Sequence, residues 1–144
     1  MDILEAVLWL TLNVYHEARS DTKEGQVAVA LATANRTERR GLSVREVVLQ
    51  PYQFSWVGKK CLIPNDTDAF IDSLHSTLLA LGSEDFTRGA TYYYLDGAPV
   101  PDWANQYTFV GKFGAHKFYR DDKQNEIGRG ESPQTRGESI CRVP

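Results

Sequence analysis

The stretch MDILEAVLWLTLNVYHEA, Met1–Ala18, decides how the rest of the chain is read. Ile3, Leu4, Ala6, Val7, Leu8, Trp9, Leu10, Leu12 and Val14 leave almost no polar side to a helix running through it. A helix apolar on nearly all sides is a central, buried one. The pattern predicts a helix reaching about Arg19, with the other elements wrapped around it. Asp2 and Glu5 stand where a secretory leader carries basic residues, and no small-residue cleavage site follows. The stretch therefore reads as part of the fold, with no signal peptide. It is also shorter than the ~18–20 apolar residues needed to span a bilayer.

Glu17 breaks the apolar pattern. On a helical wheel it falls near Ile3, Leu10 and Val14. Burial against such side chains disfavours the charged form of a carboxyl. The partial negative charge of a helix C-terminus acts in the same direction. A carboxylic acid still protonated near neutral pH is what cleavage of a glycosidic bond requires of its general acid. The plainer reading is a surface glutamate paired with Arg19 or Lys23.

Outward from this helix the chain divides into recognisable pieces. Asp21-x-x-Glu24 has the form of a capping box with Asp21 in the cap position. It opens a second helix whose Val27, Ala28, Ala30, Leu31, Ala32 and Ala34 give a small-residue surface suited to close packing on the first. That helix is expected to end near Arg36, before the charged turn Thr37–Gly41. Ser43-x-x-Glu46 starts a short helix through Val44, Val47, Val48 and Leu49, stopped by Pro51. Asp66 or Thr67 caps a fourth helix, in which Phe70, Ile71, Leu74, Leu78 and Leu81 mark the apolar face and Gly82 the end. Ala90–Leu95 is β-prone and Asp96-Gly97 is a turn signal. Tyr107–Val110 and His116–Tyr119 are its partner strands. Helices followed by a small sheet element give an α+β class. Residues 1–120 form one domain on this reading. Residues 121–144 form a polar tail, extended or partly disordered unless Ile140 and Cys141 dock it.

Composition narrows the chemistry. The chain has 144 residues, 42% hydrophobic and 24% charged, a globular balance that favours a single domain. Its net charge of −3 argues against a nucleic-acid partner. Its only basic clusters are Arg36, Arg39 and Arg40, then Lys59 and Lys60. Cys61 and Cys141 set no disulfide framework. His16-Glu17 begins a zinc-protease motif, but Ser20 stands where the second histidine is needed. His16, His75 and His116 have no metal-ligand spacing. The chain lacks a G-x-S-x-G elbow, a Walker motif and a dinucleotide fingerprint. No metal or cofactor is expected. Sixteen residues are aromatic, crowded into Tyr52–Trp56, Tyr92–Tyr94, Trp103, Tyr107 and Phe113–Tyr119. Ring faces with polar tips suit sugars, with Trp103 among the candidates, although strand alternation sends Tyr93 one way and Tyr92 and Tyr94 the other.

Five pieces in order carry a resemblance. They are Tyr15-His16-Glu17-Ala18-Arg19; Gly25-Gln26-x-Ala28-Val29-Ala30 running to Asn35-Arg36; Gln53-Phe54-Ser55; Gly89-Ala90-Thr91-Tyr92-Tyr93-Tyr94; and Gly114-x-His116-x-Phe118-Tyr119. Together they resemble the SleB-type cell wall hydrolases, the spore cortex-lytic enzymes and their relatives. The resemblance runs from about Leu4 to Tyr119. It implies a mainly helical, lysozyme-like fold related to lytic transglycosylases. It implies action on the β-1,4 bond between N-acetylmuramic acid and N-acetylglucosamine. The family's catalytic glutamate falls on Glu17. Gln53, Phe54 and Ser55 would line one side of the glycan groove, with Tyr92, Tyr93 and His116 near the other. Without a leader or a separate wall-binding domain, the chain looks like a phage endolysin. Such a protein is made in the host cytoplasm and released to the wall at lysis.

Glycoside hydrolysis uses two carboxylates, about 5–5.5 Å apart with retention and about 6.5–9.5 Å apart with inversion. Asp21, Glu24, Asp96 and Asp102 all fall in turns, where surface roles are expected. A single acid points to a lytic transglycosylase that gives 1,6-anhydro products. The alternatives are a muramidase on the same fold, a zinc-dependent amidase using His16 and His116, and a non-catalytic glycan-binding module. The expected partner is the peptidoglycan glycan strand, met by a monomer, with no membrane and no nucleic acid.

Overall fold

The computed structural model describes residues 2–50, 56–58 and 62–122. Four helices come first: α1 Ile3–Ala18, α2 Lys23–Arg40, α3 Val44–Leu49 and α4 Thr67–Gly82. Three strands follow: β1 Tyr92–Leu95, β2 Thr108–Phe113 and β3 His116–Arg120, with a 3-10 turn at Asp102–Asn105 between the first two. The α+β expectation holds. Among the described residues no helix is long and apolar enough to cross a membrane. Cys61, Cys141 and the tail beyond Asp122 lie outside the described residues.

Helix α1 is central as its composition demands. Residues Trp9–Tyr15 are all buried, and the Asp2 side chain caps the start by accepting from the Leu4 N–H at 2.9 Å. Its first turns are the exception, since Ile3, Leu4 and Leu8 are exposed. Helix α2 lays Ala28, Ala30 and Ala32 in the core, where small side chains permit close approach. Two details differ from expectation. The cap is Thr22, whose hydroxyl accepts from the Gly25 N–H at 3.1 Å, one residue after the expected Asp21. The helix also runs to Arg40. Arg39 and Arg40 in the last turn complement its partial negative charge, and Gly41, at φ +63°, supplies the left-handed cap.

Helix α3 forms behind the expected capping box, with the Ser43 hydroxyl accepting from the Glu46 N–H at 3.1 Å. Helix α4 starts at Asp66, whose carboxylate accepts from the Ala69 N–H at 3.0 Å. Its orientation corrects the periodicity reading. Ser73, Ser76, Thr77 and Ala80 face the core, whereas Ile71, Leu78 and Leu81 are 56%, 52% and 49% exposed. The buried hydroxyls are satisfied: Ser73 donates to the Ala69 carbonyl at 2.9 Å and Ser76 to Gln26 Oε1 at 2.6 Å. A small, hydrogen-bonded face lets α4 approach α1 and α2 closely, and that contact outweighs burial of its leucines.

The sheet is antiparallel in the order β1-β3-β2. Tyr93 lies opposite Phe118 and Tyr92 opposite Tyr119, with an irregularity between Phe109 and Gly111. One face, with Tyr93, Val110, Phe113 and Phe118, packs on the α1–α2 core. The other carries Tyr92, Tyr94 and Tyr119 under Trp103 and Tyr107.

Candidate active site at the end of the first helix

Glu17 stands on the last turn of α1 and is half-buried. One turn earlier on the same face is Asn13, which is fully buried. The Asn13 amide NH2 donates to Thr33 Oγ1 at 3.1 Å and to the Tyr93 hydroxyl at 3.3 Å. Its carbonyl oxygen accepts from the Trp56 indole N–H at 2.8 Å. A buried asparagine with these partners locks the α1 face beside Glu17 to α2, β1 and the 56–58 turn. Tyr93 is closed in by this network. Burial holds its phenol well above the ordinary value, and the charge of Glu17 adds to the push. Tyr93 therefore stays a neutral hydroxyl within the field of the carboxyl.

Arg36 on α2 completes the charged surroundings. It is buried, donates to the Thr91 carbonyl at 2.7 Å and stacks on the Tyr92 ring at 4.2 Å. Burial lowers its pKa and the neighbouring Arg40 adds to that shift, while the charge of Glu17 opposes it. Glu17 thus sits within electrostatic reach of a buried cation and a neutral phenol.

The turn that carries Glu17 is held from two sides. Gln26 Nε2 donates to the Ala18 and Arg19 carbonyls at 3.1 and 3.2 Å, satisfying the end of α1. Asp21, expected at the surface, turns its side chain inward instead. Its Oδ1 accepts from the Thr22 N–H at 2.7 Å, and the Ala115 N–H lies 3.1 Å from each oxygen. Its Oδ2 is 3.1 Å from His116 Nδ1, and both side chains are only 6% exposed. The partner is 95 positions away in the chain, beyond the reach of any local pattern.

The expected site residues separate into groups. Tyr93 and His116 share the inner face of the sheet, with ring centroids 5.4 Å apart and planes near perpendicular. Tyr92 and Trp103 do not join them. They contact each other on the opposite face at 5.1 Å, because neighbouring strand residues point to opposite sides. Gln53, Phe54 and Ser55 lie outside the described residues. His16 stacks on Trp56 at 4.3 Å, and its Nε2 is 3.2 Å from the Leu62 carbonyl. Among the described residues no three of His, Cys, Asp and Glu cluster closely enough to hold a metal ion. Asn13, Thr33 and Arg36 were missed as site residues. Asn13 carried a readable signal, a lone amide in an apolar helix, one turn before Glu17.

Comparison with known proteins gives the fold and the family. The spore cortex-lytic enzyme of Halalkalibacterium halodurans is 31% identical over 109 residues, which cover 73% of this chain and 32% of that protein. That of Bacillus cereus is 31% identical over 109 residues, covering 73% of this chain and 40% of its own length. The chain thus spans about a third to two-fifths of the length of these curated relatives. The catalytic domain of the germination-specific lytic transglycosylase SleB from Bacillus anthracis superposes with a TM-score of 0.67 at 28% identity, over 80% of this chain and 93% of that one. The catalytic domain of Bacillus cereus SleB gives 0.67 at 27% identity, over 81% and 91%. The mainly helical fold with its small antiparallel sheet is therefore that of the SleB catalytic domain. The family model of the cell wall hydrolases matches residues 20–119, starting just after Glu17, so the chain that builds this helix-end acid belongs to the cell wall hydrolase family.

Proposed function

We propose that the chain cleaves the glycan strand of peptidoglycan as a lytic transglycosylase, with Glu17 as the single catalytic acid. The observation that carries this reading is the placement of Glu17: on the last turn of a buried helix, one turn after the locked Asn13 and within electrostatic reach of the neutral Tyr93 phenol. Glu17 protonates the oxygen bridging N-acetylmuramic acid and N-acetylglucosamine as the bond opens through an oxocarbenium-like state. The resulting carboxylate then takes the proton of the C6 hydroxyl of the same muramic acid. That oxygen closes on the anomeric carbon and leaves a 1,6-anhydro end.

The surroundings of the other carboxylates support a single acid over a hydrolytic pair. Asp21 is occupied by two backbone N–H groups and His116. Asp96 is paired with Lys112 at 2.9 Å and Lys117 at 3.4 Å. Glu24 is exposed on the first turn of α2, and Asp102 opens the 3-10 turn that covers the far face of the sheet. The amidase reading draws no support from the histidines, since His116 is engaged by Asp21 and His16 by Trp56.

Mass spectrometry of the soluble products from purified peptidoglycan tests the proposal. Fragments lighter by one water than the reducing muropeptides, absent with Glu17→Gln and insensitive to chelator, are expected. Reducing ends would make the chain a muramidase. Free stem peptides that vanish with chelator would make it an amidase.

A further inference from the structure

We infer that Asp21 is a positioning residue, a buried clasp that fixes the β2–β3 turn against the Glu17 end of α1. The inference rests on the reading of Glu17 as the catalytic acid. Three observations carry it. First, Asp21 joins the two halves of the candidate site. Its own N–H donates to the Ala18 carbonyl at 3.0 Å, next to Glu17, while its carboxylate holds the Ala115 N–H and His116 on the β2–β3 hairpin.

Second, the backbone around it is shaped to admit the carboxylate. A Cβ built on Gly25 would lie 2.5 Å from an Asp21 oxygen, and one on Gly114 closer still. Gly114 also needs its positive φ of +59° to turn the hairpin. Two glycines from distant segments therefore face the same acid.

Third, the contact continues to the reacting end. His116 packs edge-on against Tyr93, and Tyr93 feels the charge of Glu17. Because a carboxylate oxygen only accepts, the His116 proton sits on Nδ1, and the ring is held in one tautomer. Loss of the clasp frees the turn, then His116, then Tyr93. A displacement of about 1 Å at a reacting group costs up to about a hundredfold in rate.

The test is Asp21→Asn, with rates normalised to folded protein read from melting curves and measured over a range of peptidoglycan concentrations. The amide keeps the shape and an acceptor for Ala115 but offers N–H groups where His116 needs an oxygen. The expected result is a kcat lower by about ten- to a hundredfold with KM near that of the wild type. Nitrogen NMR of the imidazole should show His116 leaving the Nδ1–H form. The double variant Asp21→Asn/His116→Gln should lose little more than Asp21→Asn alone, because both changes break one contact.

A wild-type kcat in folded Asp21→Asn, or losses that simply add in the double variant, would overturn the inference. If Asp21→Asn does not fold, His116→Gln, which leaves the carboxylate its backbone donors, carries the same kcat criterion. Glu17→Gln assayed beside them separates the two ideas. Full activity there removes the catalytic reading itself. An inactive Glu17→Gln with a wild-type Asp21→Asn removes only the clasp.

Discussion

The two faces of the three-stranded sheet have similar composition and opposite character. The inner face presents Tyr93, His116 and Phe118, each tied to a polar or packed partner on the helices. The outer face stacks Tyr92, Tyr94, Tyr119, Trp103 and Tyr107 mostly on one another, with Trp103 and Tyr107 5.8 Å apart and near parallel. Aromatic content alone does not distinguish a site from a local core. What separates the faces is the company of ionisable and amide groups. The inner face meets Glu17, Asn13 and Asp21. The outer face meets the Arg36 and Arg40 guanidinium groups at Tyr92 and packs ring on ring elsewhere.

The comparison is sharpened most by removing the acid. Glu17→Gln should keep the fold and lower the rate of peptidoglycan solubilisation by about 10²–10⁴, the range expected for a general acid. A folded variant with substantial activity would detach the inner face from the chemistry. Next in size is Asn13→Ala. Deleting the amide leaves the buried Trp56 N–H without its acceptor and opens a space on α1. The expected cost is about 3 kcal/mol in chemical denaturation, with activity falling in parallel.

Trp103→Ala addresses the outer face. It should cost about 2 kcal/mol, less than for a fully buried tryptophan, while activity per folded molecule changes far less than with Glu17→Gln. A loss of rate that matched Glu17→Gln would make the outer rings part of the substrate groove. The smallest effect is in alkali. The Tyr93 phenol is raised in the folded state, so above the ordinary tyrosine range the unfolded chain loses that proton and the native chain keeps it. Stability must then fall as pH rises past about 10. Tyr93→Phe should flatten that decline in a denaturation series. An unchanged slope would show that the phenol is not enclosed as described.

The legible parts of the sequence were those written locally. The apolar run of α1, the Ser43–Glu46 box and the Asp66 cap each appear where neighbouring residues alone determine them. Glu17 was legible for the same reason, as a charge on an apolar helix. The rest depended on partners far away in the chain. Asp21 looked like a surface cap because its histidine is 95 residues distant. Helix α4 looked as though its leucines faced inward, because periodicity counts apolar residues and not the depth of the groove they must enter. Ser76 reaches Gln26 there and Thr77 lies 3.2 Å from Thr11, contacts that a leucine would push apart. The resemblance puts Tyr92 with Tyr93, and ring chemistry adds Trp103, although strand alternation already sends Tyr92 to the other side.

Gly25, Gly114 and Asp21 share one small volume, so substitutions at the three positions are coupled. A side chain arriving at either glycine evicts the carboxylate, and while the carboxylate stays, neither position can grow. A lineage that loses the acid is released at Gly25, whose helical backbone accepts alanine readily, but not at Gly114, which the hairpin still holds to a left-handed turn. Loss of the acid therefore frees one of its two glycine neighbours and leaves the other confined.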